Sequence, residues 1–160
     1  MKISSNEILR EEMEAAIVRA NEDKTMMNGM LGGKLVDCDY EEKSATIEYE
    51  TQHWENNRAG YVHGGIIASI LDLTMGDLSI TYSDEVWTPT VNLQVSYVRP
   101  IKMGDAILCK AYVVSDGKRL NQMRSEAYSR DTGKLLATAT GVYFCTDTRK
   151  EHGVPVKGLA

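Results

Sequence analysis

The hydrophobic positions change rhythm along the chain, and each rhythm marks an element. Ile8, Leu9, Met13, Ala16, Ile17 and Ala20 recur at helical spacing behind Ser4 and Glu7, which stand at capping-box offset, so an amphipathic helix is expected from residue 5 to about 27. The stretch MMNGMLGG, with three glycines in eight residues, ends it. LVDCDY and SATIEYE then read as strands of a hairpin joined by the polar turn EEK. YVHGGIIASILDLTMGD is apolar nearly all round and of helical length, which places it in a core, yet it carries Asp72 in its middle. An ionised carboxylate there must be compensated by a hydrogen bond or a charge.

Beyond that helix, TPTVNLQVSYV alternates strictly, with Val91, Leu93, Val95 and Tyr97 on one face and Thr90, Asn92, Gln94 and Ser96 on the other. AILCKAYVVS, RLNQMRSEAYS and KLLATATGVYFC follow, separated by Asp116-Gly117 and Thr132-Gly133, which are suitable hairpin turn residues. These four strands predict an antiparallel meander. The order helix, two strands, buried helix, four strands predicts an α+β fold in which a curved antiparallel sheet wraps one long central helix, with an extra helix at the N-terminus. The chain divides into an N-terminal amphipathic helix and linker (1–33), a sheet-and-helix domain (34–146) and a polar, frayed tail (147–160).

Composition narrows the class. A chain of 160 residues, 42% hydrophobic and 26% charged, suits one globular domain. The N-terminus is charged from its second residue, and no run approaches the ~18 apolar residues of a membrane span, so the expectation is a cytoplasmic protein without a membrane partner. Cys38, Cys109 and Cys145 are odd in number and far apart, which reads as buried reduced thiols. His53, His63 and His152 lack partners at ligand spacing, so no metal is expected. A net charge of −5 argues against a nucleic-acid partner, although residues 99–134 carry eight basic side chains against four acidic ones. Such a surface suits a phosphorylated small molecule or an ordinary solvated strand face.

Three stretches carry a resemblance: NRAGYVHGGIIASILD, TVNLQVSYVRPIKMGD and the closing pair DGKR and GKLLATATGVYF. Together they resemble the hot-dog-fold acyl-CoA thioesterases of the phenylacetate-pathway type, over about Leu35 to Cys145. HGG followed by a carboxylate eight residues after its first glycine, with Asn six residues before the His, is the specific part. The resemblance implies that the Gly64 N–H and the Asn57 side chain polarise a thioester carbonyl, that Asp72 is general base or nucleophile, and that Thr90 holds the attacking water. The family pattern often has Ser at that last position, and Thr keeps the hydroxyl. The resemblance also implies no cofactor, coenzyme A being part of the substrate.

Elementary chemistry agrees with these roles. Thioester hydrolysis builds negative charge on the carbonyl oxygen, and the first N–H groups of a helix are unpaired at the positive end of its dipole. Gly64 stands at that end, with no Cβ to keep a substrate oxygen away. His63 and Gly65 are candidate substrate contacts beside it, and Arg99, Lys102, Lys118 and Arg119 are candidates for the coenzyme A phosphates. Trp54, Tyr61, Met75 and Tyr82 are candidates to line an acyl pocket.

Gly64 and Asp72 are eight residues apart on one helix, hence ~12 Å along its axis, too far to serve one carbonyl carbon. A two-fold homodimer, or a dimer of dimers, with antiparallel central helices would bring Asp72 of one subunit to Gly64 of the other. Gly65, Ala68, Ser69, Gly76 and Ser79 on the Asp72 face are small enough to permit close approach, so a partner subunit and a substrate-adjacent water are the expected compensation for Asp72. Two other functions fit less of the sequence. A β-hydroxyacyl thioester dehydratase or hydratase would set His63 against Asp72, and a non-catalytic acyl-CoA sensor would need a basic DNA-reading element where residues 1–33 carry four basic and six acidic side chains.

Overall fold

The computed structural model describes residues 3–83 and 88–145; the expected tail, 147–160, lies outside the described residues. Helix α1 runs Asn6–Ala20, with Ser5 rather than Ser4 as its cap: the Ile8 N–H donates to Ser5 Oγ at 3.3 Å. Leu9, Met13 and Ile17 form its buried stripe. It ends at Ala20, short of residue 27, because polar side chains just beyond capture the backbone. Asn21 Nδ2 donates to the Gly33 carbonyl at 2.8 Å, and Asp23 Oδ1 accepts from the Thr25 N–H and hydroxyl at 2.8 and 2.6 Å. The expected breaker MMNGMLGG holds a short helix of its own, α2 (Met27–Leu31), closed by Gly32 in the left-handed region at φ 61°.

Among the described residues six antiparallel strands follow: β1 (Lys34–Asp39), β2 (Ser44–Glu50), β3 (Thr90–Tyr97), β4 (Ala106–Asp116), β5 (Leu120–Ser129) and β6 (Leu135–Phe144). Their order across the sheet is β1-β2-β4-β5-β6-β3. The expected four-strand meander therefore holds for β4-β5-β6 only. β3 lies outside β6, pairing Leu93 with Gly141 and Tyr97 with Ala137, because β2 takes the place beside β4 that a simple meander would give to β3. As the outermost strand β3 is open along one edge, and Val91 and Tyr97 remain more than half exposed where the alternation predicts a buried face.

The sheet curves around α3 (Gly64–Tyr82), whose Ile67, Ile70, Leu71, Met75 and Leu78 are buried. Buried strand positions mix small and large side chains, with Ala45, Ala111, Ala127, Ala137 and Ala139 beside Ile47, Ile107, Met123 and Tyr143, so that sheet and helix fill one core. Contrary to the expectation from run length, α3 is long and apolar enough to cross a bilayer; it is the central helix of the sheet instead. α1 packs across β1 and α3. All three cysteines are free, but only Cys109 is buried, and burial pushes its thiol up to about 12.

Candidate active site

The chain enters α3 through a tight turn. Asn57 Oδ1 accepts the N–H groups of Ala59 (2.8 Å) and Tyr61 (3.2 Å), and Gly60 supplies the positive φ of 81° that the turn requires. With the Asn57 oxygen engaged twice, its NH2 group makes no hydrogen bond among the described residues. The His63 N–H donates to the Glu55 carbonyl at 2.7 Å, which ties the turn to the 3₁₀ segment His53–Glu55.

The first amides of α3 are then accounted for one by one. His63 Nδ1 accepts the Gly65 N–H at 2.9 Å, and the His63 carbonyl accepts from Ile66 and Ile67 at 2.9 and 3.2 Å. Only the Gly64 N–H is left without an acceptor among the described residues. His63 is thus a helix cap whose ring holds a backbone N–H, and the Gly65 amide is committed to it. Tyr97 at the end of β3 leans over the same turn and donates its hydroxyl to the Gly64 carbonyl at 2.8 Å.

Asp72 lies two turns further along α3, half-buried rather than buried. Its compensation is found within the chain. Thr90 at the start of β3 donates its hydroxyl to Asp72 Oδ1 at 3.0 Å, with Oδ2 at 3.3 Å, and Tyr143 of β6 donates to Oδ1 at 2.8 Å. Of the face expected to admit a partner helix, two residues are occupied internally. Ser79 is buried and accepts from Asn121 Nδ2 at 2.9 Å, and a Cβ at Gly76 would lie 3.7 Å from the Tyr143 ring. Ser69 Oγ donates to the Gly65 carbonyl at 2.8 Å and leaves Asp72 alone.

The residues expected at the site therefore fall into separate groups. Asn57, His63, Gly64 and Gly65 sit at the N-terminal end of α3, and the loop carrying Arg99 and Lys102 runs beside them, pinned by the Val62 N–H donating to the Ile101 carbonyl at 2.9 Å. Asp72 and Thr90 meet in mid-helix, ~12 Å away by the helical rise. Lys118 and Arg119 lie at the far end, where the Cys145 N–H donates to the Arg119 carbonyl and Asn121 reaches Ser79 and Ser83. One chain does not join the three groups. Among the candidate pocket residues, Met75 is fully buried core, Trp54 is exposed and Tyr61 half-buried. Tyr82 is half-buried, its hydroxyl has no partner among the described residues, and burial pushes that phenol up to about 12.

Sequence reasoning passed over Tyr143, Asp77 and Glu55. Tyr143 is 1% exposed, and desolvation together with the Asp72 carboxylate pushes its phenol well above the usual range, so it stays a donor. Its signal was the inward parity it shares with Gly141 on β6. Asp77, the second carboxylate of α3, is raised to about 7 by burial alone. Glu55 is buried beneath the entry turn, where desolvation raises its carboxyl while the Gln52 N–H, 3.1 Å from Oε2, opposes the rise.

Comparison with known proteins bears on what this arrangement is. Human acyl-coenzyme A thioesterase 13 is 24% identical over 134 residues, which cover 84% of this chain and 91% of that one. The PaaI protein of E. coli, from the phenylacetic acid degradation operon, superposes with a TM-score of 0.74 at 18% identity, over 89% of this chain and 96% of that one. Streptococcus mutans UA159 smu.793, solved bound to acetyl CoA, superposes with a TM-score of 0.64 at 23% identity, over 71% and 88%. The fold is thus the hot-dog fold, an antiparallel sheet around a long central helix. Residues 59–136, which hold the Gly64 amide, Asp72 and Thr90, match the thioesterase superfamily.

Proposed function

We propose that this protein hydrolyses an acyl-CoA thioester to the free acid and coenzyme A, at sites shared between two subunits of a homodimer. The observation that carries the reading is the Gly64 N–H at the positive end of α3, left without an acceptor among the described residues, a donor aimed at developing negative charge within the stretch 59–136 that matches the thioesterase superfamily. The free NH2 group of Asn57 is the second donor.

Asp72 of the opposite subunit is the base, since ~12 Å along α3 separates it from Gly64 of its own chain. Water gives one proton to Asp72 while its oxygen attacks the carbonyl carbon, and the oxyanion is met by the Gly64 N–H and the Asn57 amide. Collapse of the tetrahedral intermediate breaks the C–S bond. The departing thiolate takes the proton from Asp72, leaving carboxylic acid and thiol. Thr90 spends its proton on Asp72, so its oxygen lone pairs accept the second hydrogen of the same water. Arg99 and Lys102 of the Gly64 subunit, and Lys118 and Arg119 of the Asp72 subunit, are the cations for the coenzyme A phosphates. The names of the relatives direct the first thioesters to be assayed: acyl-CoAs of varied chain length, acetyl-CoA among them, and the coenzyme A thioester of phenylacetic acid.

The test is a panel of those thioesters scored by release of free thiol, with Asp72→Asn alongside. Hydrolysis of at least one by the native chain and a loss of at least ~100-fold in the variant are expected, because the amide keeps the shape and removes the base. No thiol release from any thioester, or near-native turnover by a folded Asp72→Asn protein, overturns the proposal. Appearance of enoyl absorbance in place of thiol would point to a dehydratase.

A further inference from the structure

Tyr143 and Asp72 are 71 residues apart in sequence and meet where β6 packs on α3, where the phenol donates to Asp72 Oδ1 at 2.8 Å and approaches the Asp72 carbonyl at 3.1 Å. We infer that Tyr143 is a positioning residue, which together with Thr90 locks the Asp72 carboxylate in one rotamer and leaves Oδ2 as its reacting oxygen. The inference rests on the reading of Asp72 as the base.

Three features carry it. Oδ1 receives both strong donations, from Tyr143 at 2.8 Å and Thr90 at 3.0 Å, while Oδ2 has only the longer 3.3 Å approach of Thr90. The oxygen with open lone pairs is therefore Oδ2. Next, the phenol bridges the side chain and the backbone of one residue, so it fixes the carboxylate relative to α3 itself, and a base misplaced by 1 Å loses much of its effect.

The third feature is that β6 is built around this ring. Gly141 and Tyr143 share the inward face, and a Cβ at Gly141 would stand 2.8 Å from Tyr143 Cε2, 3.1 Å from Met75 Cε and 3.2 Å from the Tyr143 hydroxyl. Any side chain there pushes the phenol off Asp72. The ring in turn is 1% exposed, so its hydroxyl has no water to compete with the carboxylate.

Tyr143→Phe keeps the ring and its packing and deletes the donor. In steady-state thiol-release assays it is expected to lower kcat by ~10-fold with KM within about two-fold, since substrate binding groups are untouched and only alignment of the base is lost. Tyr143→Phe combined with Thr90→Val is expected to lose more than the product of the two single losses, because each remaining donor partly holds Oδ1 in the single variants. Gly141→Ala should lower kcat in the native background and add little to Tyr143→Phe. A kcat for Tyr143→Phe within about two-fold of native, beside an inactive Asp72→Asn, overturns the positioning role and leaves Asp72 as base. So does a variant that loses only thermal stability, which would assign Tyr143 to packing. An active Asp72→Asn removes the base itself and with it this inference.

Discussion

Replacing Asp77 with Asn should make the protein more stable at neutral pH and flatten its pH dependence. The Asp77 carboxylate borders a cavity of about 10 Å³ lined by Ile17, Asn21 and Asn28 on one side and Ile47, Tyr49 and Leu73 on the other. No cation lines that space, and the carboxylate has neither a hydrogen bond nor an ion pair among the described residues. Burial raises its pKa from 3.8 to about 7. The folded state therefore favours the protonated acid, and this stabilisation is fully present below pH ~4 and lost as pH rises through ~7. Three units at ~1.4 kcal/mol each set an upper bound of ~4 kcal/mol, and partial exposure screens the charge, so about 2 kcal/mol should be lost between pH 5 and pH 8. For a chain of this size that is a fall of roughly 4–8 °C in Tm. Thermal melts of native and Asp77→Asn protein at pH 5, 6, 7 and 8 measure it directly. The variant, with nothing to ionise, should hold its Tm where the native protein declines. Parallel curves for the two proteins would refute the assignment.

The remaining expectations concern the site and the core. Thr90→Ser should retain most activity and Thr90→Val lose much of it, because the hydroxyl and not the methyl donates to Asp72 at 3.0 Å; equal kcat values would reduce Thr90 to a strand residue. Mixing Asp72→Ala and Asn57→Ala chains under unfolding conditions and refolding them should recover roughly a quarter of native activity, since random pairing makes half the dimers mixed and each mixed dimer has one intact site. A site within one chain predicts no recovery once subunit exchange is verified by mass. Gly33→Ala should destabilise the fold by ~1–3 kcal/mol in chemical denaturation, because its Cβ would stand 2.8 Å from both Ile47 Cγ2 and Tyr49 Cε1.

Local rhythm was enough to predict the central helix and every strand, since the period of apolar positions is a property of neighbouring residues. It also placed Gly64 at the start of α3, where the vacant amide is found, and eight residues of helix separate it from Asp72 in any tertiary arrangement. Polar side chains that bind their own backbone set finer boundaries than the pattern carries, which is why Ser5 and Asn21, and not Ser4 and a residue near 27, bound α1. What only the tertiary structure decided is which elements meet. The alternation of β3 reveals a strand but not its neighbour, and β3 takes its place beside β6 because β2 occupies the flank of β4. That one choice of neighbour puts Thr90 opposite Tyr143 in register, and both hydroxyls then converge on Asp72. A carboxylate alone on an apolar helix announces that it needs donors. Their identity depends on strand pairings across dozens of residues, which the packing of the sheet around α3 settles and no local pattern encodes.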